Sequence, residues 1–231
     1  MTGIIIQART SSTRLKAKVL RPLAGKALII HVLERCHITG LPVVVATSEE
    51  KSDDALAAIL KNAGNKVYRG SLDDVQKRYI DTAEEHGFDK IIRVTGDNPL
   101  IDYRALVELS KLKDIDYACV AGGPLGTGSE LITLETLKRS RKKSKEDKYI
   151  EHVTLYVRDN IEDYRSAYVK SQLKDYKYFR LTVDEEDDYR MMKEIYKNLY
   201  RNYPIENEAL MRFLADNPEI SGVNSHVQQK I

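Results

Sequence analysis

The chain lacks most of the features that would assign its class at once. Its two cysteines, Cys36 and Cys119, stand far apart and match no metal-ligand spacing. That speaks against a disulfide framework or a zinc module and fits free thiols in a reducing compartment. No apolar run approaches the roughly 18 residues of a membrane span, and MTGIIIQ has neither the basic flank nor the apolar core of a signal peptide. A cytoplasmic protein with no membrane partner is therefore expected. Charge of one sign is not in excess: the formal net charge is +2 although 31% of residues are charged. A general nucleic-acid binder would be more one-sided, so no nucleic-acid partner is expected. Repeats and low-complexity tracts are absent. The common nucleotide fingerprints are missing too. Gly25-Lys26 is followed by Ala27 with no glycine five residues earlier, and no GxGxxG follows a β-branched run, which argues against a Walker A loop.

What is present is a regular alternation. Short β-branched runs at 3–8, 42–47, 66–69, 90–95 and 116–121 alternate with amphipathic stretches, the pattern of a parallel sheet covered by helices. Helix ends are legible: Ser52 and Ser71 read as N-caps, Asp74 as the partner of Ser71 in a capping-box-like pair, and Gly64 and Gly87 as stops. Helices are also expected near 27–38 and 102–113. After residue 121 the alternation breaks at GGPLGTGSE, and 122–175 reads as an excursion from the sheet, with helices near 133–140 and 147–160 and a strand near 164–170. A strand at FRLTV and helices at 186–202 and 206–216 close the chain. With 231 residues, one full core can form, so 1–231 is read as a single α/β domain.

Three segments carry chemistry. RTSSTRLKAK, residues 9–18, holds Arg9, Arg14, Lys16 and Lys18 directly after the first apolar run. Ligands of open α/β sheets bind at the carboxyl ends of strands, and cations with free backbone amides there suit a polyphosphate; the alternative is a solvated basic turn. In RVTGDNPLID, residues 93–102, Asp97 ends a strand on the same rim. Beside a polyphosphate it makes sense as a magnesium ligand, while a plain Asp-Asn-Pro turn is the other reading. FRLTVDEEDD, residues 179–188, again ends a run in Asp184, which could join Asp97 around a metal, whereas Asp187 and Asp188 fit the first turn of the next helix. Asp114-Ile-Asp116 imitates a glycosyltransferase DxD but falls at the opposite rim of the sheet.

These segments resemble the CMP-sugar cytidylyltransferases, including CMP-Kdo synthetase and acylneuraminate cytidylyltransferase, and most of all the spore-coat polysaccharide biosynthesis branch. RTSSTRLKAKVL is similar to the family's R-x-x-S-T-R-L-x-x-K-x-L opening. VVVATSEEKSDD, RGSLDDVQKRY, RVTGDNPLID, YIEHVTLYVRDN and FRLTVDEEDD follow in the family's order. The resemblance implies a mostly parallel Rossmann-like sheet of the nucleotide-diphospho-sugar transferase (GT-A-like) type with a small dimerisation excursion, and a homodimer; the near-helical spacing of Tyr149, Val153, Tyr156 and Val157 gives an apolar stripe read as its contact, the alternative being that the stripe packs on its own subunit. The resemblance also implies that Arg9, Arg14 and Lys18 clamp the triphosphate of CTP and that Asp97 and Asp184 hold Mg²⁺. It places main chain at Ala8, Arg9 and Gly96, with Ser71 and Arg78, at the nucleotide, and Glu130, Glu151 and His152 at an acidic sugar acceptor. Ser71 competes with its capping role, and His152 with that of an ordinary half-buried helix histidine.

Two departures stand out. Relatives have Leu-Pro-Gly-Lys where this chain has Leu15-Lys16-Ala17-Lys18, so a loop needing positive φ at that point would be strained by Ala17. Relatives also have Asp-Thr-Pro-Glu-Asp where this chain reads Asp184-Glu185-Glu186-Asp187-Asp188, which removes an N1 proline. The expected activity is transfer of CMP from CTP to the acceptor with release of pyrophosphate. The rivals are a metal-dependent glycosyltransferase using Asp114 and Asp116, and a nucleotide-binding scaffold without catalysis.

Overall fold

The computed structural model describes residues 1–229. Seven strands form one sheet: β1 (Thr2–Gln7), β2 (Val43–Ser48), β3 (Lys66–Gly70), β4 (Lys90–Thr95), β5 (Tyr117–Ala121), β6 (Glu130–Thr133) and β7 (Ser166–Lys170). Their spatial order is β3-β2-β1-β4-β6-β5-β7. The first four are mutually parallel, with Ile4 beside Val43 on one side and Ile92 on the other. β6 runs antiparallel to both β4 and β5, while β5 and β7 are parallel. Chain order reverses direction at β1, so the crevice between the carboxyl ends of β1 and β4 is where this architecture binds ligands.

Period-two alternation explains why the strands are apolar throughout. Ile4, Ile6, Val43, Val45, Ile92 and Val94 face one core layer under α1 (Leu28–His37), α4 (Tyr103–Lys111), α8 (Glu186–Leu199) and α9 (Asn207–Asp216). Ile5, Val44, Ala46 and Ile91 face a second layer under α3 (Val75–His86), α5 (Leu134–Lys143) and the short α7 (Leu155–Asp159), with the short α6 (Asp147–Glu151) against α3. On the first side lies also α2 (Asp54–Asn62), through Leu56 and Leu60. Gly64 and Gly87 adopt left-handed φ of 75° and 67° at the expected helix stops.

Four expectations need correction. FRLTV is not a strand: it makes one isolated bridge, Leu125 to Arg180. Its amides go to loops instead, Leu181 N to Leu125 O at 2.7 Å and Val183 N to Asp97 O at 3.0 Å. The alternating Phe179, Leu181 and Val183 are nevertheless buried, which is why the segment imitates a strand. Ser52 and Ser71 are not the caps: α2 begins at Asp54, and α3 is capped by Asp74, which accepts from the Lys77 amide at 2.9 Å. The 122–175 segment is only partly an excursion, since it supplies β6 and β7 to the main sheet.

The 147–160 helix is broken at Val153, whose φ is 37°. That value is unusual for a β-branched residue and persists only where neighbours impose it. Gln76 donates to the Val153 carbonyl at 3.1 Å, and Thr154 donates to Glu130 at 2.8 Å. The Val153 and Val157 side chains are fully buried in the protein's own second core layer with Ile5 and Tyr79. Most of the stripe expected at a dimer contact is thus consumed inside the protomer. Val157→Ala is accordingly expected to cost about 2 kcal/mol, from two lost methyl groups and the cavity they leave. A lower denaturant midpoint with unchanged slope would show it; an unaltered midpoint would mean that the side chain is not core.

Candidate active site

The loop between β1 and α1 leaves the sheet at Ala8 and is pinned at few points. Leu15 and Val19 are buried in the first core layer. The Thr10 amide donates to Asp53 at 2.7 Å, and the Thr10 carbonyl accepts from the Ala17 amide at 3.2 Å. Ala17 adopts φ 50° and ψ 32°, the left-handed conformation expected to strain a residue with a Cβ. Lys18 then opens a short 3₁₀ turn, Lys18–Leu20.

This geometry aims Arg14 and Lys18 at two carboxylates from distant parts of the chain. Lys18 Nζ lies 2.6 Å from Asp97 Oδ2 and 2.8 Å from Asp184 Oδ1. Arg14 Nη2 is 3.0 Å from the same Asp184 oxygen. The second Asp184 oxygen accepts from Arg180 Nη2 at 2.9 Å, and Arg180 also grips Asp188. Burial would raise the Asp184 pKa, but Lys18, Arg14 and Arg180 outweigh it and hold the carboxyl below the usual range. Burial would likewise depress Lys18, yet Asp97 and Asp184 push its ammonium above the ordinary lysine value. Arg9 is more exposed, 3.7 Å from Glu151, a contact that solvent weakens.

Two chambers meet at this cluster. The smaller, 320 Å³, is lined by Ala8, Arg9, Arg14, Lys18, Arg78 and Gly96 among others. Gly96 has to be glycine: a Cβ there would sit 2.8 Å from that of Ala8 and 3.1 Å from the Gln7 carbonyl. Arg78 is buried, donates to the Ser71 carbonyl at 2.6 Å, and among the described residues its Nε has no partner. Ser71 itself lies outside the chamber lining, its hydroxyl accepting from the Asp74 amide at 3.1 Å. The larger chamber, 630 Å³, is walled by Tyr117, Cys119, the glycine-rich 122–128 loop, Glu130 and Arg158. Arg14, Arg93, Thr95, Asp97, His152 and Asp184 line both.

Of the residues expected at an acceptor, His152 lies on the shared wall and Glu151 lines the smaller chamber. Glu130 is fully committed, accepting from Arg93 at 2.8 Å, Tyr117 at 2.5 Å and Thr154 at 2.8 Å. Although burial raises its pKa, Arg93 and these hydroxyls leave it below the ordinary value, so it stays ionised. Sequence reasoning missed Asp53, Arg93, Thr95 and Arg158. All four lie inside segments that carry the resemblance, Asp53 in VVVATSEEKSDD, Arg93 and Thr95 in RVTGDNPLID and Arg158 in YIEHVTLYVRDN, but none was singled out there. Asp116 is held by Arg165 at 3.0 Å, at the start of β5 and away from both chambers.

The donor set suits a hard divalent cation. Asp97 and Asp184 already flank one ammonium, and two carboxylates are what Mg²⁺ takes from protein when phosphates and water fill its remaining positions. Among the described residues no group of three or more His, Cys, Asp or Glu side chains could hold a metal unaided. Likewise among them, no helix is long and apolar enough to cross a membrane.

Comparison with known proteins agrees with this geometry. Residues 3–219 match the family model described as cytidylyltransferase. The chain is 34% identical to the spore coat polysaccharide biosynthesis protein SpsF of Bacillus subtilis, over 93% of this chain and 94% of that one. It is 32% identical to the 3-deoxy-manno-octulosonate cytidylyltransferase of Chlorobaculum tepidum, over 77% and 69% respectively. A solved cytidylyltransferase structure from Leptospira borgpetersenii superposes with a TM-score of 0.90 at 30% identity, covering 100% of this chain and 98% of that one.

Because Ala17 sits at positive φ, where glycine is unstrained, Ala17→Gly is expected to stabilise the protein by about 0.5 to 1 kcal/mol. Thermal or denaturant unfolding reads this directly. A loss of stability would show that the Ala17 methyl contributes more by packing than it costs in strain.

Proposed function

This chain belongs to the cytidylyltransferase family, and from that premise we propose that it transfers CMP from CTP to an acidic sugar, for surface polysaccharide or glycoconjugate synthesis. It is a CTP-dependent nucleotidyltransferase. The observation that carries the finer reading is the shared wall. A nucleotide in the smaller chamber and an acceptor in the larger would meet at Arg14, Asp97, His152 and Asp184. The acidic acceptor is supported by charge: Arg158 faces the larger chamber and forms no ion pair among the described residues, while Glu130 there is already taken by Arg93.

In the proposed step an acceptor hydroxyl oxygen attacks the α-phosphorus of CTP. A new P–O bond forms, the bond to the bridging α–β oxygen breaks, pyrophosphate leaves with that oxygen, and the hydroxyl proton passes to solvent. The protein's work is alignment and charge neutralisation. Arg9, Arg14 and Lys18 would hold the phosphate oxygens, and charge-assisted bonds from a guanidinium tighten as charge builds on the leaving group. Arg78 and main chain at Ala8 and Gly96 would hold the nucleoside. Asp97 and Asp184 would hold Mg²⁺, which when bound neutralises phosphate charge. In the proposed assembly two copies pair through a surface other than the buried stripe; light scattering at micromolar concentration is expected to give twice the monomer mass, and a monomer would remove this element.

An acceptor panel tests the reading. With CTP and Mg²⁺, pyrophosphate release is expected with 3-deoxy-manno-octulosonate or another 2-keto sugar acid and not with neutral sugars. Turnover of neutral sugars alone would overturn the acidic acceptor. Arg14→Ala should lower kcat/KM by the equivalent of about 2 to 4 kcal/mol, by comparison with a lost oxyanion donor. Asp97→Asn should abolish metal-dependent turnover with the fold intact; a variant that keeps its rate would displace Asp97 from the metal site.

A further inference from the structure

Asp53 is completely buried, next to the cationic loop rather than in it. One carboxylate oxygen accepts from the Thr10 amide at 2.7 Å and lies 2.6 Å from the Thr10 hydroxyl. The other accepts from the Thr47 hydroxyl at 3.0 Å and from the Ser48 amide at 3.2 Å, with the Ser48 hydroxyl also in contact. The carboxylate therefore joins the carboxyl end of β2 to the first turn of the loop. Burial would raise its pKa, but the Ser48 and Thr10 hydrogen bonds more than offset this and keep it below the ordinary value, so it is an anion with its lone pairs filled.

The loop has little else behind it. A 430 Å³ cavity also lies against the loop, lined by Ser11, Ser12, Thr13, Lys16, Leu20 and Ser52 among others, the first three of which line the smaller chamber too. Ser11, Thr13, Arg14 and Lys16 are exposed. Thr10 is the pivot between the two halves: its amide is held by Asp53, and its carbonyl accepts from the Ala17 amide one residue before Lys18. We propose that Asp53 is a positioning residue for the triphosphate clamp, fixing Thr10 so that Arg9, Arg14 and Lys18 are held ready for CTP without touching it. The proposal rests on the reading of that chamber as the CTP site.

Its test pairs Asp53→Asn with Thr47→Val. Both remove hydrogen bonding from the same buried cluster, yet the Thr47 hydroxyl bonds Asp53 and, among the described residues, no group of the loop, so a merely structural role would affect CTP in both. Asp53→Asn is expected to weaken CTP binding, titrated calorimetrically with Mg²⁺, by about tenfold or more, whereas Thr47→Val should leave it within about twofold despite a lower melting temperature. Amide hydrogen exchange on the nucleotide-free protein should speed up at residues 11–16 in the first variant only. Unchanged CTP affinity with unchanged exchange in Asp53→Asn would overturn the proposal, as would equal weakening by both variants. If Asp53→Asn does not fold, Thr10→Val replaces it with an expected loss of roughly threefold; no loss there is equally fatal. A wild-type protein that fails to bind CTP would refute the assignment of the chamber instead, and the exchange comparison would still decide the role of Asp53 on the loop.

Discussion

Two carboxylates held side by side repel each other, and the architecture of this site follows from how that repulsion is handled. Asp97 comes from the end of a central strand and Asp184 from an extended segment much later in the chain, joined by the Val183 amide to the Asp97 carbonyl. Lys18 bridges the pair, while Arg14 and Arg180 take the remaining Asp184 lone pairs. Each cation is in turn fixed by the fold. Lys18 follows the left-handed turn at Ala17, and Arg180 is clamped by the fully buried Asp188, itself accepting from Asn224. Such a cluster is stable only when complete, because a buried charge stripped of its partner is costly. It is also suited to exchange: a polyphosphate with its counter-ion offers both the carboxylates and the cations partners of the right sign.

A second buried pair, Arg93 with Glu130, performs a related task for the larger chamber. Glu130 sits on the antiparallel β6, the strand that wedges between β4 and β5. With Tyr117 and Thr154 it ties the sheet to the turn bearing His152. The strained φ of Val153 is the visible consequence, since an unbroken helix would carry His152 elsewhere. Glu130, the residue expected at an acceptor, is therefore committed to holding the wall of the larger chamber.

How much of this was legible in the sequence depended on whether the information was local. Strands with short β-branched runs and the glycine stops at Gly64 and Gly87 were readable because each is decided within a few residues, whereas the strain at Ala17 was expected only through the resemblance. The convergence of Arg14, Lys18, Asp97 and Asp184 was suggested by segment ends on one rim and made specific by resemblance, since no spacing rule links positions so far apart. FRLTV misled because burial on alternate residues looks the same whether an extended segment pairs with a strand or with two loops. β6 was missed as a strand because it is four residues long and follows a glycine-rich stretch. Asp53 was hidden by its neighbours: in SEEKSDD it looks like one more helix-start acid, and only the tertiary approach of Thr10 distinguishes it.

The central claim is that the cluster at the β1–β4 crevice receives the triphosphate of CTP together with a divalent cation. A crystal structure of the protein grown with CTP and Mn²⁺, with anomalous differences recorded for manganese, tests this most directly. The account predicts an anomalous peak within coordination distance of Asp97 and Asp184, with the triphosphate on Arg9, Arg14 and Lys18 and Lys18 moved from the carboxylates onto phosphate. A manganese peak at Asp114 and Asp116, or a nucleotide bound away from the 9–18 loop, would contradict it.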